Sequence, residues 1–237
     1  MEAVPAPGRL RTRVALAAAL GAVVSFAVPA AAGPVAQQPP PGPPPAAPLA
    51  APQPVTGFPA PRYPSPPSRA LGTPTHGRLV RGVQLPVEGQ DYLTWDNVYK
   101  RVPNRGWRRW GTDRLIRFLL AVLRDYRTAN PDAPRVLVGD LSLEHGGPFG
   151  ANFGGLGHFS HQNGLDADVY YPRRDRRPLE PTRVSQIDHR LAADLLERFI
   201  RAGAVTIYVG PHTGLRGPRR IVRPLVHHDN HMHVRIR

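Results

Sequence analysis

The stretches GHFSHQNGLDADVYY (157–171) and HDNHMHVRI (228–236) each run from a polar, histidine-bearing segment into an apolar-interleaved one. Successive side chains of a strand point to opposite faces. That parity puts His231 and His233 on one face, with Met232, Val234 and Ile236 on the other. It also puts Asp166 and Asp168 together, opposite Leu165, Ala167 and Val169. Two adjacent strands, each offering imidazole or carboxylate from one sheet face, form a natural floor for a divalent cation. Zinc suits the set: imidazole and carboxylate are both zinc ligands, and a catalytic site keeps a fourth position for water. His231 and His233 share a face, so spacing alone lets either reach the metal. A histidine-rich metal trap without catalysis satisfies the same pattern.

Outward from these strands, the chain alternates short apolar runs with amphipathic ones. TDRLIRFLLAVLRDYRTA (112–129) carries Leu115, Phe118, Leu119, Val122, Leu123 and Tyr126 at helical spacing; Thr112 or Asp113 caps it and Asn130-Pro131 stops it. DHRLAADLLERFIRA (188–202) is a second such helix, closed by Gly203. Strands are predicted over 135–140, 165–171, 204–209 and 231–236, with a Gly-rich loop from Gly146 to Gly157. The pattern predicts an α+β fold: one domain with a central, mainly antiparallel sheet carrying the metal site and helices packed around it.

The chain has 237 residues, and half of its 30 Pro lie between Pro34 and Pro67, where no packed core can form. Residues 33–70 therefore read as a disordered, semi-rigid spacer and 71–237 as the folded domain. Ahead of them, Arg9, Arg11 and Arg13, the apolar run Val14–Val28 and the small residues of Pro29-Ala30-Ala31-Ala32 read as a signal peptide over 1–32. An uncleaved anchor is the alternative. Either way the domain is expected outside the cytoplasm, in the periplasm or at the cell wall, with no membrane span of its own. With no Cys, a disulfide scaffold, a thiol nucleophile, a Cys-ligated zinc finger and an iron–sulfur cluster are all excluded. The net charge of +14, almost all from Arg, favours anionic partners such as nucleic acid, an acidic membrane face or bacterial cell wall.

His161 followed by Asp168 (H-x6-D) and later by His231-Met-His233 (H-x-H) resembles the superfamily of lysostaphin-type endopeptidases, D-Ala-D-Ala metallopeptidases and hedgehog domains. GDLS (139–142), GGP (146–148), GHFSHQNGLDADV (157–169) and HDNHMHVRI (228–236) are similar to one branch, the penicillin-insensitive murein endopeptidases. The resemblance runs from about Leu79 onward. It implies a zinc peptidase of peptidoglycan in which His161, Asp168 and His233 bind Zn2+. By the same resemblance His231 and His228 work beside the metal, and His158 orients a ligand or its loop. The absence of Cys departs from the better-known enterobacterial members, so any disulfides of theirs are missing.

The residues agree with that chemistry. No HExxH motif and no Glu near either His motif supplies a base, so His228 and His231 are the candidates. Spacing leaves their roles interchangeable, and the favoured division has His228 as general base and His231 as stabiliser of the tetrahedral oxyanion. Trp107 and Trp110 can stack on sugar rings or belong to the core. Asp140 and Asp166 are partners of the site or ordinary polar groups at strand ends. Gly154, Gly155 and Gly157 lack the spacing of a phosphate loop, and Ser142 and Ser160 have no nucleophilic role beside a metal. The leading function is therefore a zinc-dependent endopeptidase cutting peptide cross-links of peptidoglycan. A zinc carboxypeptidase trimming stem peptides and a non-catalytic, metal-containing wall-binding module are the alternatives. A secreted nuclease would exploit the charge, but no nuclease motif supports it, so nucleic acid is not the expected partner.

Overall fold

The computed structural model describes residues 57–149 and 158–237. The expected signal peptide, most of the spacer, and Gly154, Gly155 and Gly157 lie outside the described residues. The chain forms β1 (Arg69–Thr73), β2 (His76–Val80), β3 (Val83–Gln84), β4 (Tyr92–Thr94), β5 (Trp110–Gly111), α1 (Asp113–Ala129), β6 (Val136–Val138), β7 (Asp166–Tyr170), α2 (His189–Arg201), β8 (Thr206–Val209), β9 (Val222–Pro224) and β10 (His231–Arg235). Six strands make the main sheet in the order β4-β6-β7-β10-β8-β9. Its three inner pairings are antiparallel and its two outer ones, β4 with β6 and β8 with β9, are parallel. β1–β2 and β3–β5 are separate two-stranded pairs.

Strand parity holds throughout this sheet. Val136, Val138, Ala167, Val169, Ile207, Val209, Met232 and Val234 face the helices in one buried core with Leu115, Leu119, Leu123, Leu195 and Phe199. Among the described residues both helices therefore lie on one face, which corrects the expectation of helices around the sheet; the opposite face carries the ionisable side chains of β7 and β10. A smaller apolar cluster, Leu93, Trp95, Leu137 and Tyr170, lies on that second face.

Both helix starts are capped as their sequences require. Thr112 Oγ1 accepts from the Leu115 amide (3.2 Å) and Asp188 Oδ1 from that of Leu191 (3.0 Å). Gly203 takes φ +99° just past α2, where its amide and that of Ala204 bond back to Ile200 and Phe199. The composition boundary at residue 70 falls inside β1. Upstream of it, the Pro66 and Pro67 carbonyls accept from the Arg81 guanidinium, and Tyr63 packs on the core with Arg117 over its ring. Among the described residues no helix is long and apolar enough to cross a membrane.

Candidate metal centre

β7 and β10 lie side by side with His233 opposite Asp168, His231 opposite Tyr170 and Arg235 opposite Asp166. The pairing brings the two acidic and two histidine side chains onto the face away from the helices. His161 arrives from the loop before β7. Its backbone is in the left-handed region, at φ +69°, which a non-glycine residue adopts only when the surroundings hold it there. The constraints are visible: the His161 amide donates to Asp166 Oδ2 (3.2 Å), and Nδ1 donates to the Leu141 carbonyl. Two residues before β7, Gly164 at φ +74° gives its carbonyl to the Thr112 amide and hydroxyl, tying the loop to the start of α1.

Three ligand atoms converge. His161 Nε2 lies 3.1 Å from His233 Nδ1 and 3.4 Å from Asp168 Oδ1, and His233 Nδ1 lies 3.1 Å from the same Oδ1. Atoms about 2.0–2.1 Å from a tetrahedral zinc stand about 3.3 Å from one another, so this triangle has the edge a zinc ion requires. The donors fit as well. With Nδ1 engaged by a carbonyl, His161 keeps a bare Nε2, and burial pushes its pKa down, towards the neutral form a metal needs. His233 donates from Nε2 to Asp166 Oδ1 (2.9 Å), which aims Nδ1 inward. Burial opposes a charge on His233, yet hydrogen bonds to Asp166 and Asp168 and their two negative charges raise it to about 9. In the metal-free protein a proton thus occupies the position a metal would take, and metal uptake must displace it.

His158 is the other candidate ligand: His158, His161 and Asp168 each offer one ligand atom within 4.8 Å of the others. Its surroundings speak for a different task. Nε2 bonds to Asp140 Oδ2 (2.8 Å), and Nδ1 lies 3.7 Å from Asp168 Oδ2. Burial opposes protonation here too, but the charges of Asp168 and Asp140 outweigh it and raise the pKa. With Nε2 taken up by Asp140, the His158 ring turns Nδ1 to the outer edge of Asp168 rather than into the triangle. It can hold the outer oxygen of Asp168 while the inner one faces His161 and His233. Asp140 is itself buried, gripped by both ends of the Arg108 guanidinium and by Asn104 Nδ2 (2.9 Å). Burial works against that carboxylate, and Arg108 and His158 together hold it well below the usual range.

His231 and His228 stand beside the triangle rather than in it. His231 Nε2 is 3.8 Å from Asp168 Oδ1, and the His228 ring is 4.8 Å from the His231 ring and 6.2 Å from that of His233. Burial pushes His231 down to about 4 and lowers His228 as well, so both are neutral near pH 7. His228 Nδ1 donates to the Val226 carbonyl (2.8 Å), leaving Nε2 as an acceptor.

All six histidine and aspartate positions singled out from the sequence are therefore brought together. Asp140 and Asp166 prove to be partners of the site histidines. Arg108 and Asn104 were not legible as site residues, because their link to Asp140 spans more than thirty positions. Trp107 is partly exposed, its ring 6.4 Å from Phe149, which in turn stacks edge-on against His158 (4.9 Å). Trp110 is half-buried in β5.

The family model described as penicillin-insensitive murein endopeptidase matches residues 70–199, a span that includes His158, His161 and Asp168. Relatives named penicillin-insensitive murein endopeptidase include one from Salmonella heidelberg (strain SL476), 28% identical over 200 residues covering 72% of this chain and 66% of the relative. One from Pectobacterium atrosepticum is 27% identical over 195 residues, 71% of this chain and 64% of the relative. One from Escherichia coli O1:K1 / APEC is 29% identical over 200 residues, 72% and 66%. The chain spans just under two thirds of the length of these curated relatives.

Proposed function

The chain belongs to the penicillin-insensitive murein endopeptidase family, and from that premise we propose that it is a zinc-dependent endopeptidase hydrolysing peptide cross-links of bacterial peptidoglycan. The observation that carries the reading is the triangle of His161 Nε2, His233 Nδ1 and Asp168 Oδ1, with edges of 3.1–3.4 Å. In this reading those three residues hold Zn2+. When bound, zinc supplies hydroxide at neutral pH and a Lewis acid for the scissile carbonyl.

The protein's own groups do the rest. His228, neutral and with Nε2 free, takes the proton of the attacking water and returns it to the leaving amine. His231, its Nδ1 bonded to Asn230 and its bare Nε2 turned to the site, takes over the proton that His228 has drawn from the water. It donates that proton in a hydrogen bond to the tetrahedral oxyanion while the intermediate lasts, and gives it back for the leaving amine. His158, held by Asp140, fixes the outer oxygen of Asp168. The basic surface suits an anionic wall polymer, and a substrate of this kind requires the domain to be exported.

The test combines elemental analysis with digestion of cross-linked muropeptides. About one zinc per chain and conversion of dimers to monomers are expected. Trimming of stem peptides with dimers left intact would make it a carboxypeptidase. Stoichiometric metal without any turnover would make it a wall-binding module.

A further inference from the structure

Behind His231, away from the metal triangle, stands a second line of polar groups that the proposed chemistry does not use. His231 Nδ1 lies 2.7 Å from Asn230 Oδ1. The Asn230 amide nitrogen donates in turn to Glu180 Oε2 (3.3 Å). Glu180 is 6% exposed, and its carboxylate is also approached by Trp95 Nε1 (3.4 Å) and ion-paired with Lys100. Trp95 belongs to the small apolar cluster with Tyr170 and Leu137, against which Leu179 packs, and the Tyr170 ring is 5.5 Å from that of His231. This cluster on the site face presses the 179–180 segment toward the strand that carries His231.

The chain of donors has one consistent direction. A carboxylate only accepts, so Glu180 requires the NH2 end of Asn230. The oxygen end of Asn230 then faces His231, where it too can only accept, so His231 must donate from Nδ1. The neutral ring has one proton, and Nε2, the nitrogen 3.8 Å from Asp168 Oδ1, is left bare toward the site. Glu180 lies fifty positions from Asn230 in sequence and touches none of the metal-facing atoms named above.

We propose that Asn230 and Glu180 are positioning residues that fix His231 in the Nδ1–H tautomer, with Nε2 presented to the reacting groups. The proposal rests on the endopeptidase reading only for its effect on turnover; the tautomer itself is a property of the chain.

The experiment uses the full chain, zinc-loaded and metal-free, with 15N-labelled histidine. Long-range 15N–1H spectra report which nitrogen of His231 carries the proton, alongside zinc content and kcat and KM on cross-linked muropeptides. In wild type His231 is expected as the Nδ1–H form. Asn230→Leu and Glu180→Ala should mix the two tautomers and lower kcat on the order of 10–100-fold, with KM and zinc content unchanged. Glu180→Gln, whose amide oxygen still accepts from Asn230, should restore the Nδ1–H form and most of kcat. An Nε2–H form in wild type, an unaltered tautomer in Asn230→Leu and Glu180→Ala, or loss of zinc in those variants would each overturn the proposal. If the wild type cleaves no cross-links, the endopeptidase reading fails, while the spectra still decide the tautomer.

Discussion

On the helix side of the sheet Ala167, Val169, Met232 and Val234 are hydrocarbon against hydrocarbon, while on the opposite side their immediate neighbours Asp166, Asp168, His231 and His233 are held by carboxylate, imidazole and guanidinium partners. Both sets are largely removed from water. The helix face gains from area alone, at about 25 cal/mol per Å2, and tolerates changes that conserve volume. The ionisable groups of the site face gain nothing from area. Each buried ion there is costly unless a partner of opposite charge and a hydrogen bond meet it. That is why Asp166 serves His161, His233 and Arg235 at once, and why Asp140 is held by Arg108, Asn104 and His158. One face makes the fold stable; the other makes it specific.

Substitutions at adjacent positions of β10 separate the two faces with the largest effects. His233→Ala should lose most of its zinc and drop cross-link cleavage to background, and His161→Ala and Asp168→Ala should do the same. Met232→Ala, one residue away and fully buried, should cost about 2–5 kcal/mol of unfolding free energy yet keep stoichiometric zinc in the folded molecule. Elemental analysis and urea unfolding on all four variants make the comparison. A metal-loaded His233→Ala would remove it from the ligand set and leave His158 as the third ligand.

His231→Ala probes the same face without touching the triangle. It should keep zinc and fold but lose on the order of 10²–10⁴-fold in turnover, the size expected for an acid–base or oxyanion-stabilising group. Zinc loss in this variant, with zinc retained in His233→Ala, would reverse the two roles.

A smaller effect is expected one layer out. Asp166→Asn leaves an oxygen for His233 Nε2 but removes the charge, so zinc affinity should weaken on the order of 10–100-fold by competition titration. The same carboxylate carries an acid-stability signature in the metal-free protein. Burial opposes its ionisation, but His233, His161 and Arg235 hold its pKa at about 2. A depressed folded-state value means that its stabilisation is full above the ordinary Asp range near ~3.9 and is lost as pH falls toward 2. Wild type and Asp166→Asn should therefore differ most near neutrality and converge in acid; parallel curves would show that the charge does not contribute.

Much of this arrangement was legible beforehand because it is periodic. Strand parity gave the shared face of His231 and His233 and of Asp166 and Asp168, and helical spacing gave both helices to within a residue or two. β3 and β5 were invisible: Val83–Gln84 and Trp110–Gly111 are two residues each, too short for any period. β9 is hidden in an Arg- and Pro-rich run. The network behind the site was equally hidden, since Arg108, Asp140, Glu180 and Asn230 meet only after the chain has folded. The family match stops at residue 199, so the roles proposed for His228, His231 and His233 draw on the H-x-H resemblance and the observed distances, not on that match.

The weakest effect tests where the domain begins. Composition groups residues 33–70 as spacer, but Pro lacks only a donor; its carbonyl still accepts. Pro66 and Pro67 use theirs on Arg81, and Tyr63 lies against the helix-side core under Arg117. Deleting residues 34–56, whose composition offers nothing to a core, should leave the melting temperature and activity on soluble fragments within error of wild type. Extending the deletion to residue 67 removes those acceptors and the Tyr63 ring, and should lower stability by about 1–3 kcal/mol, as burial of one aromatic and a charged hydrogen bond suggest. Zinc content should not change in either case, because both contacts belong to the hairpin and the helix side. A loss of zinc on the longer deletion would show that the two faces are coupled through β2 and the His161 loop, where the Gln162 amide bonds to the Pro74 carbonyl (3.0 Å).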